Sequence, residues 1–378
     1  MAEKGKANSR KFAPRHRDRI SQTVIYLGKL VRMFLFQNDW KVLPLSAAIA
    51  YMVAIVIRND CFLTREGSLK GALALTCVAM WNGCFNSIQV ICRERAIVKR
   101  EHRSGMHVSS YTFAHAIYQA VLCAVQAAIT VYICRFAGVN LPAEGIASAS
   151  AAMDIGLTLF FITFAADMLS LFISSIVHTT TAAMTVMPFL LIFQLVFSGG
   201  VFPVPQKLTP VSHYTLSSYG IKCLAAQADY NNLPMVTGWN TISKMRNSEI
   251  QGSYTVDSLL EEIKKGDFKP AADLRDSPVS EAMTVGDVIR FMQLDPGYKD
   301  VKDKTVDFSF TIGELIDYIG EDTAKEIVLE KTGDASYNSD YEANWTNVLT
   351  CWGMLCLMAL LYLLFTMVAL KFIDKDKR

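Results

Sequence analysis

Long apolar segments alternate with short polar ones over most of the chain, at lengths typical of membrane-crossing helices. A bilayer-spanning helix needs roughly 20 mostly apolar residues. Six stretches fit this requirement: Val42–Ile57, Gly71–Ile91, Thr112–Cys134, Ala149–Val177, Thr181–Val201 and Trp345–Ile373. Pro188 is expected to kink the fifth. The pattern predicts an all-α polytopic membrane protein with six transmembrane helices and both termini in the cytoplasm.

Residues 20–40 carry apolar positions on one helical face only. The stripe comprises Ile20, Val24, Leu27, Val31, Phe34 and Leu35. Lys29 and Arg32 lie off it, so an amphipathic helix at the inner membrane surface is predicted. Two interpretations stay open: the basic overhang of the next span, or a connecting helix that contacts the charged loop at 93–103.

That charged loop, residues 92–111, separates the second and third spans. It holds five basic and two acidic residues: Arg93, Arg95, Lys99, Arg100, Arg103, Glu94 and Glu101. Lys and Arg near span ends resist translocation, so the loop is expected in the cytoplasm. Ala96–Glu101 can form one or two helical turns that Ser104 and Gly105 would stop. Such a helix could receive force from a soluble partner, although a solvated positive-inside loop is the simpler interpretation.

The segment after the fifth span leads into a long acidic insert. In Phe202–Ala226, three prolines followed by Tyr and Ser residues predict a re-entrant turn and a short interfacial helix. Residues 229–344 predict a small, mainly helical extracellular insert. Its internal repeat places Thr255, Thr284 and Thr311 as N-caps of short helices, the last two with capping-box acids at Asp287 and Glu314.

Charge segregation supports this division of the chain. The composition is 52% hydrophobic and 19% charged, with a mean hydropathy of +0.26. Residues 229–344 contain 23 acidic and 12 basic residues, a net charge of −11, against a net charge of +13 for the remainder. Residues 1–19 are predicted to be a disordered basic cytoplasmic tail. Residues 41–228 form the transmembrane domain with its first five spans, and residues 345–378 the sixth helix and a second cytoplasmic tail.

The nine cysteines do not form a metal-binding pattern. No CxxC or His/Cys spacing occurs, so a zinc site is not expected. The insert contains no cysteine, and an outer domain without disulfides is more typical of a bacterial plasma membrane.

Polar and aromatic side chains inside the predicted spans are candidates for a transport pathway. Amides in spans either hydrogen-bond a neighbouring helix or face a substrate. The candidates for a substrate cavity or gate are Asn82, Phe85, Asn86, Phe189, Phe193 and Phe197. The three phenylalanines of the fifth span lie on one face, where they either pack or face a partner across a cavity. Asp167 lies near the middle of the fourth span and is expected either close to the inner mouth or paired with a base.

Catalytic motifs are absent from the sequence. It contains no GxxxxGK[ST] phosphate loop, no HExxH and no GxSxG. We therefore expect no catalysis and no cofactor bound by this chain. If ATP drives its function, ATP and Mg²⁺ would bind to another polypeptide.

Three segments together resemble one family. They are QTVIYLGKLVRMFLFQND, ERAIVKREHRSGMHVSSYTFA and FSGGVFPVPQKLTPVSHYTLSSYGIKCL. They are similar to the connecting helix, the ER…RE…G…S…Y signature and the post-fifth-span segment of type-2 ABC exporter permeases, within them the G subfamily of white/pigment type. The likeness covers nearly everything except the tail and the insert.

The resemblance implies a six-helix half-transporter that pairs with a second permease copy and a separate ABC ATPase subunit, in contact with membrane lipid and not with nucleic acid. It implies coupling to the ATPase through Arg93, Glu94, Arg95, Arg100 and Glu101. It also implies that Glu101 joins a charged cluster with the connecting helix and that Phe189–Phe197 line the cavity or its gate. Two departures are the missing fused ATPase and the unusually long external segment.

Two functions follow as hypotheses. The first is an export permease subunit for a hydrophobic or amphipathic solute such as a lipid, drug or peptide-like molecule. The second is a membrane signalling or mechanotransmission protein whose extracellular domain binds a partner without solute transport.

Overall fold

The computed structural model describes residues 18–36, 39–200, 209–266, 269–280, 283–335 and 337–373. The chain divides into two compact units, Pro234–Ser336 and a membrane unit built from the residues on either side of it. Most of the predicted basic tail (1–17), residues 37 and 38 of the predicted connecting helix, and the charged tail (374–378) lie outside the described residues.

Sixteen α-helices occur in the described part of the chain. Those before the insert are α1 (Arg19–Phe36), α2 (Val42–Ile57), α3 (Arg65–Ser87), α4 (Val90–Arg103), α5 (Val108–Phe136), α6 (Ala151–Ile176), α7 (Thr180–Val196), α8 (Thr209–Ser212) and α9 (Leu216–Gln227). The unit Pro234–Ser336 contains α10 (Val236–Lys244), α11 (Val256–Lys265), α12 (Lys269–Asp276), α13 (Val285–Leu294), α14 (Ile312–Ile319) and α15 (Glu321–Ala335). The last helix is α16 (Trp345–Lys371).

Five helical segments of the described chain are long and apolar enough to cross a membrane, which confirms the all-α polytopic class. They are Asp39–Ile57, Arg65–Arg103, Val108–Phe136, Ala151–Ile176 and Trp345–Lys371. The predicted fifth span corresponds to α7, which is apolar but has only 17 residues. It ends at Val196 rather than Val201, and Gly199 follows with a φ of +78°, a backbone conformation that suits glycine. Six spans therefore stay a prediction.

The charged loop is more helical than the sequence pattern predicted. The helix α4 begins at Val90 rather than Ala96, after a short break at Ile88–Gln89 that separates it from α3. Its predicted stop is confirmed, because Ser104 is the C-cap and Gly105 has a φ of +99°. The added turns arise because the segment before Ala96 packs against the protein, and tertiary burial stabilises helix more than local propensity does.

The centre of the membrane unit is α6, which packs against α3, α5, α9 and α16. It approaches α3 closely at Gly83, where an added Cβ would lie 2.2 Å from the carbonyl oxygen of Thr163. Only a glycine permits this backbone approach. The helix α9 is buried nearly throughout, against α3, α6 and α16. This burial satisfies the requirement for a re-entrant helix. The start of the predicted turn lies in residues 201–208, outside the described residues.

The two ends of the insert meet at the membrane unit. Asn231 Nδ2 donates to the Asn338 carbonyl, and the Asn338 amide donates to Asn231 Oδ1, both at 3.0 Å. Nearby, Lys222 forms an ion pair with Asp340 at 2.9 Å. These contacts fix the points where the chain leaves and re-enters the membrane unit.

The unit Pro234–Ser336 confirms the predicted threonine caps. The side chains of Thr255, Thr284 and Thr311 each accept an amide hydrogen bond at the start of a helix, and the last two form full capping boxes with Asp287 and Glu314. The unit also contains strands that the predicted mainly helical insert did not include: β1 (Glu249–Thr255), β2 (Pro278–Ser280), β3 (Met283–Thr284) and β4 (Thr305–Thr311). β1 pairs antiparallel with β4, and β2 with β3.

Candidate functional site

The charged helix α4 and the end of α6 cap each other. The amides of Ile91 and Cys92, in the first turn of α4, donate to Ser174 Oγ of α6 at 3.0 and 3.2 Å. In return, Arg95 Nη1 of α4 donates to the carbonyls of Ser175 and Val177, at 2.8 and 3.3 Å. Because both helix ends leave backbone groups without intrahelical partners, this exchange satisfies both. The start of α4 and the end of α6 are therefore directly bonded to each other.

The same helix is bonded to α1. Lys29 Nζ lies 2.9 Å from Glu94 Oε2, and Tyr26 Oη donates to Glu101 Oε2 at 2.9 Å. Glu94 and Glu101 are seven residues apart and share one face of α4, as Tyr26 and Lys29, three apart, share one face of α1. Burial and the bond to the Glu101 carboxylate raise the pKa of Tyr26, so the phenol stays a donor. These bonds are the contact expected under the second interpretation of residues 20–40, a connecting helix that touches the charged loop.

The side of α4 next to the face that carries Glu94 and Glu101 is exposed in the described structure. Arg93, Ile97 and Arg100 are exposed, and Ile97 keeps 40% of its accessible surface. Three residues of the predicted coupling set, Glu94, Arg95 and Glu101, thus make bonds within the chain. Arg100 is exposed, and Arg93 is exposed as well but also lines the cavity described next. Sequence reasoning missed Ile97, although its place between two arginines on the exposed face was readable from helical spacing.

A cavity of about 150 Å³ lies between α1, α2, α3, α4 and α5. Its walls include Phe85, Asn86, Arg93, Glu94 and His115. The structure therefore brings two of the predicted cavity residues together with two of the predicted coupling residues. The volume corresponds to about five water molecules.

His115 is buried in this wall against the ring of Tyr111, with ring centres 4.5 Å apart. Its Nδ1 and Gln119 Oε1 have no hydrogen-bond partner among the described residues. Buried polar atoms without a partner are typical of sites that hold ordered water.

Asp167 is completely buried among neutral hydrogen-bond donors. Ser87 Oγ donates to Asp167 Oδ1, while Asn86 Nδ2 and Cys123 Sγ lie 3.4 Å from Oδ2. Asn86 also exchanges hydrogen bonds with Gln126, at 2.9 and 3.1 Å. No Lys, Arg or His among the described residues forms an ion pair with this carboxyl, so the alternative of a paired base has no partner among them. Asp167 lies seven residues before Ser174, about 10 Å along α6 from the level of α4.

The remaining cavity candidates do not join this cluster. Asn82 is buried beside Gly83 at the crossing with α6. Phe189 and Phe193 are 70% and 44% exposed, because the buried face of α7 is formed by other residues. Those residues are Ala183, Met187, Leu191 and Gln194. The stripe with Phe197, whose ring centre lies 4.9 Å from that of Phe193, is thus not packed inside the described chain.

A second buried polar cluster, which the sequence did not indicate, joins α6, α9 and α16. Thr158 Oγ1 accepts from Gln227 Nε2 at 2.8 Å and from Trp352 Nε1 at 2.9 Å, and donates to the Asp154 carbonyl at 2.9 Å. The two donors, Gln227 and Trp352, are 69 and 194 positions from Thr158 in the sequence, so no local spacing could reveal them. Among the described residues, no group of His, Cys, Asp or Glu is arranged to hold a metal ion.

Comparison with known proteins gives two matches. Residues 24–225 match the profile of a family described as ABC-2 type transporter. The chain is also 30% identical over 154 residues to the ABC transporter ATP-binding/permease protein Rv1747 of Mycobacterium tuberculosis. That alignment covers 40% of this chain and 18% of the relative, so the chain spans about a fifth of the relative's length.

Proposed function

Since the chain belongs to the ABC-2 type transporter family and is a permease component, we propose that it is the permease subunit of an ATP-driven exporter. The proposed cargo is a hydrophobic or amphipathic solute, such as a lipid, drug or peptide-like molecule, moved across the plasma membrane. A separate ATPase subunit would bind ATP and Mg²⁺ and supply the energy.

The observation that carries this proposal is the double attachment of α4. Its charged face is bonded to α1 through Glu94 and Glu101, and its first turn and Arg95 are bonded to the end of α6. Because α6 is the central helix of the membrane unit, a push on α4 would reach the helices around the buried Asp167 cluster. We propose that this network alternates between two arrangements, which would be the inward-open and outward-open states of the cavity.

The exposed face of α4 supports a docking role. Arg93 and Arg100 flank Ile97 on one side of the helix, so the face has an apolar centre and basic edges. An apolar anchor with a polar rim is the usual composition of a protein interface. We assign this face to the separate ATPase. We propose that α4 lies on the cytoplasmic side, with both termini in the cytoplasm; its basic character supports this orientation.

The uncovered face of α7 supports pairing of two permease copies. Phe189 and Phe193 project from the chain at a point where a lone copy offers them only lipid. In a homodimer or related heterodimer, the two phenylalanine stripes would face each other across the transport cavity. The cavity on the inner side of each copy would then be lined by Asn82, Phe85 and Asn86. The phenylalanine stripes would form its gate.

Co-purification with the ATPase tests the docking proposal. Arg100→Glu reverses charge on the exposed face of α4 without removing any of the bonds to α1 or α6. We expect the variant to reach the membrane normally while it loses the ATP-hydrolysing companion and ATP-dependent export. The matched control is Arg135→Glu, an exposed arginine at the opposite end of α5. Equal recovery of the ATPase with both variants would contradict the proposal.

Removal of the insert separates transport from partner binding. Asn231 and Asn338 hold its two ends together, so a short Gly-Ser linker in place of residues 234–336 should leave the membrane unit folded. We expect export to survive this deletion. A deletion variant that still recruits the ATPase but no longer exports would favour a function centred on the external domain.

A further inference from the structure

An apolar groove lies on the side of α1 that faces α2 and α5. Its volume is about 360 Å³, and apolar side chains form its walls, apart from the ring of Tyr118. Leu27 and Phe34 come from α1, Leu43 from α2, and Tyr118 and Val121 from α5. Phe34 meets Tyr118 edge-to-face, with ring centres 6.4 Å apart. This groove is separate from the face of α1 that carries Tyr26 and Lys29.

The dimensions of the groove match one half of a bilayer. Its α5 wall extends from Ile117 to Val125, nine residues that span about 12 Å of helix. One leaflet contributes about half of a hydrocarbon core that is roughly 30 Å thick. The volume equals about twelve water molecules, but polar partners for water are lacking, so an apolar chain is the occupant that the walls favour.

Basic residues lie close in sequence to the residues that line the groove. α1 contains Arg19, Lys29 and Arg32 and no acidic residue. Arg32 is exposed and follows the lining residue Val31, and Lys41 is exposed two positions before Leu43. The adjacent Trp40 is 47% exposed, as is common for tryptophan at a membrane interface. Exposed basic residues adjacent in sequence to an apolar lining are complementary to an anionic phospholipid, and we call Arg32 and Lys41 the basic rim.

We propose that this groove binds one acyl chain of an anionic phospholipid of the inner leaflet, with Arg32 and Lys41 holding its phosphate. The lipid lies behind α1, whose other face is bonded to α4 through Lys29–Glu94 and Tyr26–Glu101. The bound lipid therefore supports the position from which α1 engages α4. This site is independent of the transported solute and of the ATPase.

Native mass spectrometry of the purified full chain tests the site. The chain is extracted from vesicles of equimolar phosphatidylglycerol and phosphatidylcholine with identical acyl chains, and the lipid retained per chain is measured. We expect retained phosphatidylglycerol to exceed phosphatidylcholine by roughly fivefold for each of the two basic residues. Val121→Trp, which fills the groove, should abolish retention. Val368→Trp, at an exposed valine of α16, should leave it intact.

Neutralising the rim separates headgroup recognition from chain binding. The double variant Arg32→Gln with Lys41→Gln should retain the two lipids equally. Val121→Trp should retain neither. Equal retention of the two lipids by the unaltered chain would overturn the proposal. An equal change in retained lipid in Val121→Trp and Val368→Trp would also overturn it. So would dissociation of a dimer by Val121→Trp, because a second copy would then be what covers the groove. None of these readouts depends on ATP hydrolysis or export.

Discussion

Reversing the charge of Glu94 should disconnect α1 from α4. Lys29 Nζ and Glu94 Oε2 are 2.9 Å apart, and the two side chains are 35% and 15% exposed. A partly exposed pair of this kind contributes about 1 kcal/mol once desolvation and side-chain entropy are counted. Glu94→Lys replaces that attraction with a repulsion of similar size, so the contact weakens by roughly 2 kcal/mol. This corresponds to about a 30-fold shift in the equilibrium between engaged and disengaged α1.

The assay is the amount of solute exported per ATP hydrolysed, in proteoliposomes that contain the permease and its ATPase, with a fluorescent lipid analogue as probe. We expect Glu94→Lys to retain hydrolysis and lose most export. Lys29→Glu alone should behave in the same way, and the double variant Lys29→Glu with Glu94→Lys should recover coupling. Glu144→Lys, in the exposed loop before α6, is the charge-matched control. The reasoning is refuted if the double variant exports no better than either single variant.

Other expected effects can be measured as changes in unfolding temperature or acid stability. Gly83→Ala should destabilise the membrane unit by roughly 1–3 kcal/mol, since its Cβ meets a backbone oxygen, while Gly353→Ala, with no neighbour within 4 Å, should be neutral. Asp167→Leu should lower the unfolding temperature by roughly 5 °C through unmade hydrogen bonds, and Asp167→Asn should be milder. Backbone hydrogen bonds from their N-cap residues lower the pKa values of Asp287 and Glu314 in the fold, so their stabilisation is complete above the unfolded pKa and disappears as the pH falls through the folded one. Circular dichroism of the full chain should show a smaller acid-induced loss of helix in the variant Asp287→Asn with Glu314→Gln; an unchanged acid transition would contradict this assignment.

Features encoded by a few neighbouring residues were predictable from the sequence. The stop of α4 at Ser104 and Gly105 and the caps at Thr284 and Thr311 depend on side chains within about four positions. Span α2 was predicted with its observed bounds, because its apolar run is continuous and ends at a charged residue.

Features that depend on chain segments far apart were missed. Ser174 reaches the amides of α4 across 82 and 83 positions, and Asp167 binds donors 44 to 81 positions away. The strands β1 and β4 also pair across the insert. Each is too short for its own sequence to identify it as a strand, because strand formation depends on the partner it packs beside. The phenylalanine stripe of α7 was found, but its exposure depends on which helices cover the other face.

Crosslinking from α4 tests the central claim most directly. A photoreactive amino acid in place of Ile97, in the middle of the exposed face, is irradiated in intact cells and the captured polypeptide is identified. We predict capture of a cytoplasmic protein that contains a GxxxxGK[ST] phosphate loop and hydrolyses ATP. Capture of an external protein, or reaction of position 97 with a membrane-impermeant reagent added outside the cell, would contradict the account.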